Sequence, residues 1–206
     1  MNSAGAIQLI LSGDAALWQI VRLSLLVTVS ATVLAALIGM PLGAVIAVIR
    51  FPGSNAVVVI LNALMGLPPV VVGLLIFLLL SRAGPLGSLG LLFTAKAMII
   101  AQTMLITPII AALTRQVIAD LWSEYAQEFN AMGVGPLTRI TALLWDARFS
   151  LVTIALAGFG RAAAEVGAVM IVGGNIDGFT RVMTTAIALE TSKGNLALAI
   201  SLGLVL

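Results

Sequence analysis

The chain has 206 residues, 61% of them hydrophobic and only 9% charged, with a mean hydropathy of +1.20. Water-soluble domains carry about 25% charged residues, so this composition excludes a soluble globular protein and makes lipid the solvent. A net charge of +2 from 10 basic and 8 acidic residues, with no histidine and no cysteine, argues against a nucleic-acid partner and leaves no ligands for zinc sites or histidine acid–base chemistry.

At roughly 20 residues per crossing plus loops, the length allows about five membrane spans. Residues 1–12 contain no Lys or Arg; without the basic start of a secretory signal, no cleavage is expected and the first span directs insertion. Leu23 to Ile49 is free of charge. As a helix this run measures about 40 Å, more than a hydrocarbon core of about 30 Å. It holds Gly39 and Gly43 in GxxxG spacing with Pro41 between them, which suits either close approach of another helix or a proline-bent helix end. A turn follows at Arg50-Phe51-Pro52-Gly53, and a second span is expected over 56–80. Pro68-Pro69 falls inside it, as a hinge lining a pore or as a static packing kink.

Residues 81–96 read as a Gly-rich loop, and 97–114 as a third span containing Pro108. Charges then gather at Arg115, Asp120, Glu124, Glu128, Arg139, Asp146 and Arg148. Asp120 is placed to cap a helix through about Met132, Gly133 to end it, and Gly135-Pro136 to start the next with proline in its first turn. This pair is too polar to cross a bilayer and must lie at its surface or protrude. A fourth span covers 149–172. It carries Arg161 and Glu165, four apart on one helix face; each is costly to bury alone, so the two are expected to pair, as a gate or as a structural tie. The glycines and alanines around them place this helix inside a bundle. A polar loop over 173–178 is followed by 179–194, which holds an apolar piece, Val182 to Leu189, too short to cross, and then by a short apolar run, 195–206, read as an incomplete fifth span. No internal repeat is evident. The fold class is an all-α transmembrane helix bundle forming one domain over 1–206.

A phosphate-binding loop requires Lys followed by Ser or Thr. Lys96 precedes Ala97 and Lys193 precedes Gly194, so the chain has no such loop, and no enzymatic activity or cofactor is expected. Spans with one ionisable pair and no repeated halves fit a subunit whose energy source lies elsewhere, reached through the charged segment.

Glu124-Tyr-Ala-Gln127-Glu128-Phe-Asn-Ala131-Met-Gly133, followed by Pro136-Leu-Thr-Arg139, resembles the EAA loop of ABC importer permeases. Gln127 stands where that family has Glu, and Trp145-Asp146-Ala147-Arg148 replaces its usual I-x-L-P ending. Gly66-Leu-Pro68-Pro69-Val-Val-Val-Gly73, Ser81-Arg-Ala-Gly84-Pro85-Leu-Gly87, the 158–170 and 173–181 segments and Thr184–Gly194 are together similar to tungstate-specific ABC permeases, relatives of the molybdate permeases. The likeness runs from about Ile20 onward. It implies a type I importer permease in a prokaryotic inner or plasma membrane, working as a homodimer with two ATPase subunits and an extracytoplasmic oxyanion-binding protein. It further implies that 120–148 is a cytoplasmic coupling segment, with Glu124, Gln127, Glu128, Ala131, Gly133, Pro136 and Arg139 at the ATPase. If so, the N-terminus is outside, Arg50, Arg115, Arg139 and Arg148 are inside, and Arg22, Arg82, Lys96, Arg181 and Lys193 are near the outer side. Asn175, Arg181 and Lys193 then belong to an outer loop that meets the binding protein, gates the pore or attracts the anion, or is simply solvated. The alternatives are a permease for molybdate or another anion, an ion-coupled carrier, and a membrane scaffold.

Overall fold

The computed structural model describes residues 13–49 and 51–206; the readings of residues 1–12 and of Arg50 lie outside them. Among the described residues the structure is helical and without strands: α1 (Ala15–Val48), α2 (Ser54–Met65), α3 (Pro69–Leu80), α4 (Ala95–Ala131), α5 (Pro136–Asp146), α6 (Arg148–Ala163), α7 (Gly167–Gly173), α8 (Met183–Ser192) and α9 (Leu196–Val205). By length and apolarity α1 and α4 can each cross a bilayer, and the crossings rise to four if the interrupted pairs α2–α3 and α5–α6 each count as one. Leu37, Val59 and Leu156 are each more than 60% exposed, among many other large apolar side chains on the surface. Such a surface suits hydrocarbon or an apolar protein partner and not water.

α1 begins where the Asp14 carboxylate accepts the Leu17 N–H at 2.9 Å, one of the free donors of a helix start. It passes through Pro41 without ending. The expected second span is instead interrupted between Met65 and Pro69. Pro68, forced extended by the proline after it, has ψ 125°, and two consecutive residues without N–H cannot continue a helical ladder.

The third span and the first surface helix prove to be one element. α4 runs unbroken for 37 residues, about 55 Å, so Asp120 lies in its interior and caps nothing. Neither glycine nor proline occurs between Thr114 and Asp120, and charge alone does not stop a helix. The expected span 149–172 is likewise divided, with α6 ending at Ala163 and α7 starting at Gly167.

The described chain forms two compact units. One comprises residues up to Ala31, Pro68–Gln102 and Ala162–Leu206. Its core joins Leu17, Ile20 and Val21 of α1 to Met183 and Ala186 of α8 and Leu202 of α9. In the same unit α3 lies directly on α7: a Cβ on Gly73 would stand 2.7 Å from Ala168 Cα, and one on Gly167 would stand 2.8 Å from Val70 Cγ2. The 81–94 loop joins this packing where the Phe93 N–H donates to Val172 O at 2.9 Å and its ring meets Phe77 edge-on at 6.2 Å.

The other unit comprises Thr32–Leu67 and Thr103–Arg161. There the GxxxG face of α1 has a close partner. A Cβ on Gly39 would stand 3.0 Å from Thr107 O and 3.1 Å from Ile110 Cγ2, both on α4. Gly43 is closer still to α4, its missing Cβ falling on Ala111 O and 2.9 Å from Arg115 N. Ile46, Leu61 and Ala111 extend this contact to α2, and Gly158 of α6 admits Ile110 Cδ1.

Candidate functional site

The charged segment forms an elbow between two helices. The last turn of α4 closes with Met132 N–H on Glu128 O at 2.9 Å and Gly133 N–H on Asn130 O at 3.2 Å. Gly133 has φ +66°, the left-handed stop that glycine adopts without cost. Gly135, extended at ψ 163°, then leads into Pro136 in the first turn of α5. Glu124, Gln127, Glu128, Ala131, Gly133 and Pro136 are all exposed around this elbow. Met132 and Leu137 present apolar side chains beside them, 64% and 75% exposed.

Arg139 is placed differently. It is half-buried, its Nε donates to Val134 O at 2.8 Å, and its guanidinium lies 5.5 Å from the Trp122 ring centroid. Trp122 in turn stacks on Phe129, centroids 6.1 Å apart. Arg139 therefore ties α5 back to the turn and to α4. Trp122 and Phe129 were not singled out in the sequence, although their spacing of two helical turns on one face is visible there. Arg139→Lys keeps the charge but loses the Nε donor and the flat fork. It is expected to speed limited proteolysis at 132–136 several-fold while the rest of the chain keeps its protection; unchanged cleavage would remove Arg139 from this role.

The elbow is acidic. Glu124 most strongly, then Asp146, partial burial and Glu128, hold the Tyr125 phenol above the usual tyrosine range, since each disfavours a phenolate there. At the other end of α5, the Arg148 Nη1 donates to Trp145 O at 2.8 Å, and its guanidinium packs over the rings of Trp145 and Phe149 at 5.2 and 4.6 Å. α5 and α6 meet there at a bend of 74°.

The helix expected to carry both Arg161 and Glu165 is interrupted after Ala163, between the two. Arg161 lies in the last turn of α6, where a cation suits the helix dipole. Glu165 is 4% exposed, and its Oε1 accepts the Ala168 N–H at 3.1 Å, next to the start of α7. Gln102 Nε2 donates to Ala162 O at 3.0 Å and Thr184 Oγ1 to Glu165 O at 2.8 Å. The interruption is thus built from side chains that satisfy freed backbone groups.

The 174–182 loop is also tightly built. Thr180 is buried, its hydroxyl donating to Gly173 O at 2.5 Å and accepting the Ile176 N–H at 2.9 Å. Gln19 Nε2 donates to Gly178 O at 2.9 Å, and Ser24 Oγ accepts the Met183 N–H at 2.6 Å. Asn175 sits at φ +50°, a conformation asparagine tolerates better than most residues. Arg181 is bound to Asp177 at 2.8 Å.

Lys193 pairs with Glu190 at 3.0 Å, and Asn195 Nδ2 donates to the same carboxylate at 3.0 Å. In the sequence Glu190 figures only as part of the Thr184–Gly194 segment, and its pairing with Lys193 was not foreseen, though it lies one helical turn before it. The hydrogen bond from Lys193 is the largest influence holding its carboxyl below the ordinary value of 4.5, helped by Asn195 and the charges of Lys193 and Arg181 against partial burial. A lowered folded pKa gives stabilisation that is complete above the unfolded value and lost as pH falls through the folded one. Protection of the Asn195 amide against hydrogen exchange, corrected for the intrinsic rate, is therefore expected to fall on acidification below about pH 4. Glu190→Gln should be less protected at neutral pH and flat across that range.

No family model matches the chain. It is 41% identical to the tungstate uptake system permease protein TupB of Peptoclostridium acidaminophilum over 201 residues, 98% of this chain and 88% of that protein. A probable anion ABC transporter permease protein of Haloferax volcanii is 41% identical over 91% of this chain and 83% of its own length. TupB of Campylobacter jejuni is 40% identical over 76% of this chain and 66% of its own length.

Proposed function

The chain belongs to the family of ABC importer permeases that includes the tungstate uptake permeases, and on that premise we propose that it is the membrane-spanning subunit through which an ATP-driven importer brings tungstate into the cytoplasm. The observation that carries this reading is 41% identity to a tungstate uptake permease over 98% of the chain. The elbow at Gly133 supplies the place where an ATPase would act.

Tungstate is a dianion. Entry into a negatively charged interior opposes it by ~2.3 kcal/mol per charge per 100 mV, or roughly 4–5 kcal/mol in all, and losing its hydration costs far more. Uptake therefore needs an energy source, and this chain has no Lys-Ser or Lys-Thr pair for a phosphate loop. Two ATPase subunits on a permease homodimer would provide it. The exposed Glu124, Gln127 and Glu128, with Met132 and Leu137 beside them, form the docking face, and its acidity calls for a basic rim on the ATPase groove. α4 continues from the bundle into this face as one rigid rod, so a movement of the elbow is delivered to α1 through the contacts at Gly39 and Gly43. The 173–194 segment faces outward, toward an extracytoplasmic oxyanion-binding protein, with Asn175 shaping the loop and Lys193 at its far end.

The test is reconstitution of the chain with its ATPase and binding protein in proteoliposomes. Tungstate uptake should require ATP and should resist molybdate and sulfate in excess. Uptake that follows a proton or sodium gradient without the ATPase would overturn the reading; molybdate taken up in preference to tungstate would reassign the substrate.

A further inference from the structure

One cavity combines two arginines with a preorganised wall. It lies between the start of α1 and the 174–182 loop, has a volume of about 270 Å³, and is lined by Arg22, Asp177 and Arg181 among apolar residues including Ile20, Leu26 and Phe179. Arg22 is exposed and has no carboxylate partner among the described residues. Arg181 is held in place. Its amide donates to Ile176 O at 3.0 Å, its Nη1 donates to Asp177 Oδ1, and its Nε is buried with no acceptor.

Three charges thus face this cavity, two positive and one negative, which leaves one positive charge uncompensated. The Asp177 side chain is 80% exposed and pairs with the Arg181 fork. Guanidinium forks match the oxygen edges of a tetrahedral anion, and apolar walls strengthen the attraction by excluding water. The Gln19 bond to this loop and the Ser24 bond to Met183 just after it hold the shape before any ligand arrives, which lowers the cost of binding.

We propose that this cavity binds a tetrahedral oxyanion through Arg22 and Arg181. Two sources share that chemistry: free tungstate, in which case the site is a resting station on the import route and rests on the function proposed above, or the phosphodiester of an anionic lipid headgroup.

The experiment uses the purified full chain in nanodiscs of zwitterionic phosphatidylcholine, titrated calorimetrically with sodium tungstate, and a second set of nanodiscs containing phosphatidylglycerol, with lipid retention read by native mass spectrometry. A free-anion site gives saturable tungstate binding, weakened about tenfold or more by Arg22→Gln and by Arg181→Gln, the loss of one charge-assisted contact each. Arg82→Gln, on another loop, should leave binding unchanged. A headgroup site gives phosphatidylglycerol that displaces tungstate and stays bound to the wild type but not to either variant. Arg22 is exposed, so its substitution should not disturb folding, which size-exclusion profiles check. Absence of saturable tungstate binding together with lipid retention indifferent to both substitutions overturns the proposal. If that result accompanies ATP-dependent uptake by the wild type, the site alone fails; binding without uptake leaves the site and removes the importer.

Discussion

Gly43→Leu is expected to leave little or no monodisperse protein after detergent extraction. A Cβ at this position would fall on Ala111 O and stand 2.9 Å from Arg115 N and 3.0 Å from Thr114 Cβ. The first two are backbone atoms inside α4, a helix unbroken from Ala95 to Ala131, so no side-chain rotation can make room. Relief requires α1 and α4 to separate along the contact that also includes Gly39. Overpacking typically costs 1–3 kcal/mol, and a clash with backbone belongs at or above the top of that range. Lipid offers no hydrophobic force to press the helices back together; close packing is the attraction, and separation forfeits it. Gly203→Leu is the matched control, because a Cβ there meets nothing within 4 Å. Fluorescence-detected size exclusion of the two variants separates a packing role from a general intolerance of bulk. A monodisperse peak for Gly43→Leu equal to that of Gly203→Leu would show that this helix contact does not hold the unit together.

The same contact marks what a sequence can and cannot disclose in this fold. Charge-free runs revealed the helical stretches, since each must satisfy its own backbone in lipid. GxxxG spacing left two readings open, because it says that a backbone can be approached and not what approaches it. Prolines were ambiguous for a related reason. α1 and α4 run through Pro41 and Pro108, where one N–H is lost, whereas Pro68-Pro69 removes two donors in succession and ends the helix. The break after Ala163 had no such sign: Ala-Ala-Glu-Val reads as helix. There the chain turns because the buried Glu165 carboxylate takes the Ala168 N–H and Glu165 N–H bonds Ala162 O at 3.1 Å, a tighter closure than the α-helical one.

The candidate site shows a similar division. Gly133 and Pro136 were legible because glycine and proline act through their own torsions. The inward turn of Arg139 was not, since it depends on Trp122 in the preceding helix, and a list of charges cannot tell an exposed side chain from one turned inward.

Gly133→Val should lower ATP-dependent tungstate uptake by about tenfold or more, the equivalent of a loss of ~1.4 kcal/mol or greater in the coupled step. The cause is torsional. A Cβ at Gly133 meets nothing within 4 Å, but the residue holds φ +66°, and an L-residue there costs roughly 1–2 kcal/mol, a β-branched one more. The chain can bear that strain or move to negative φ and swing α5. Swinging stretches the Arg139 bond to Val134 O and its contact with Trp122, and reorients the exposed Leu137 on α5. Either way, an ATPase groove meets a misaligned face. Insertion should be normal, because the elbow is exposed and the packing at Gly39 and Gly43 is untouched. Asparagine tolerates the left-handed region, so Gly133→Asn should keep most of the uptake. Gly135→Ala, at φ −72° with open space around it, should be silent. Uptake is measured in proteoliposomes alongside ATP hydrolysis and recovery of the assembled complex. Wild-type uptake by Gly133→Val would refute the elbow as the point of force transfer. An equal loss in Gly135→Ala would trace the defect to added bulk at the docking face and not to the backbone torsion that sets its angle.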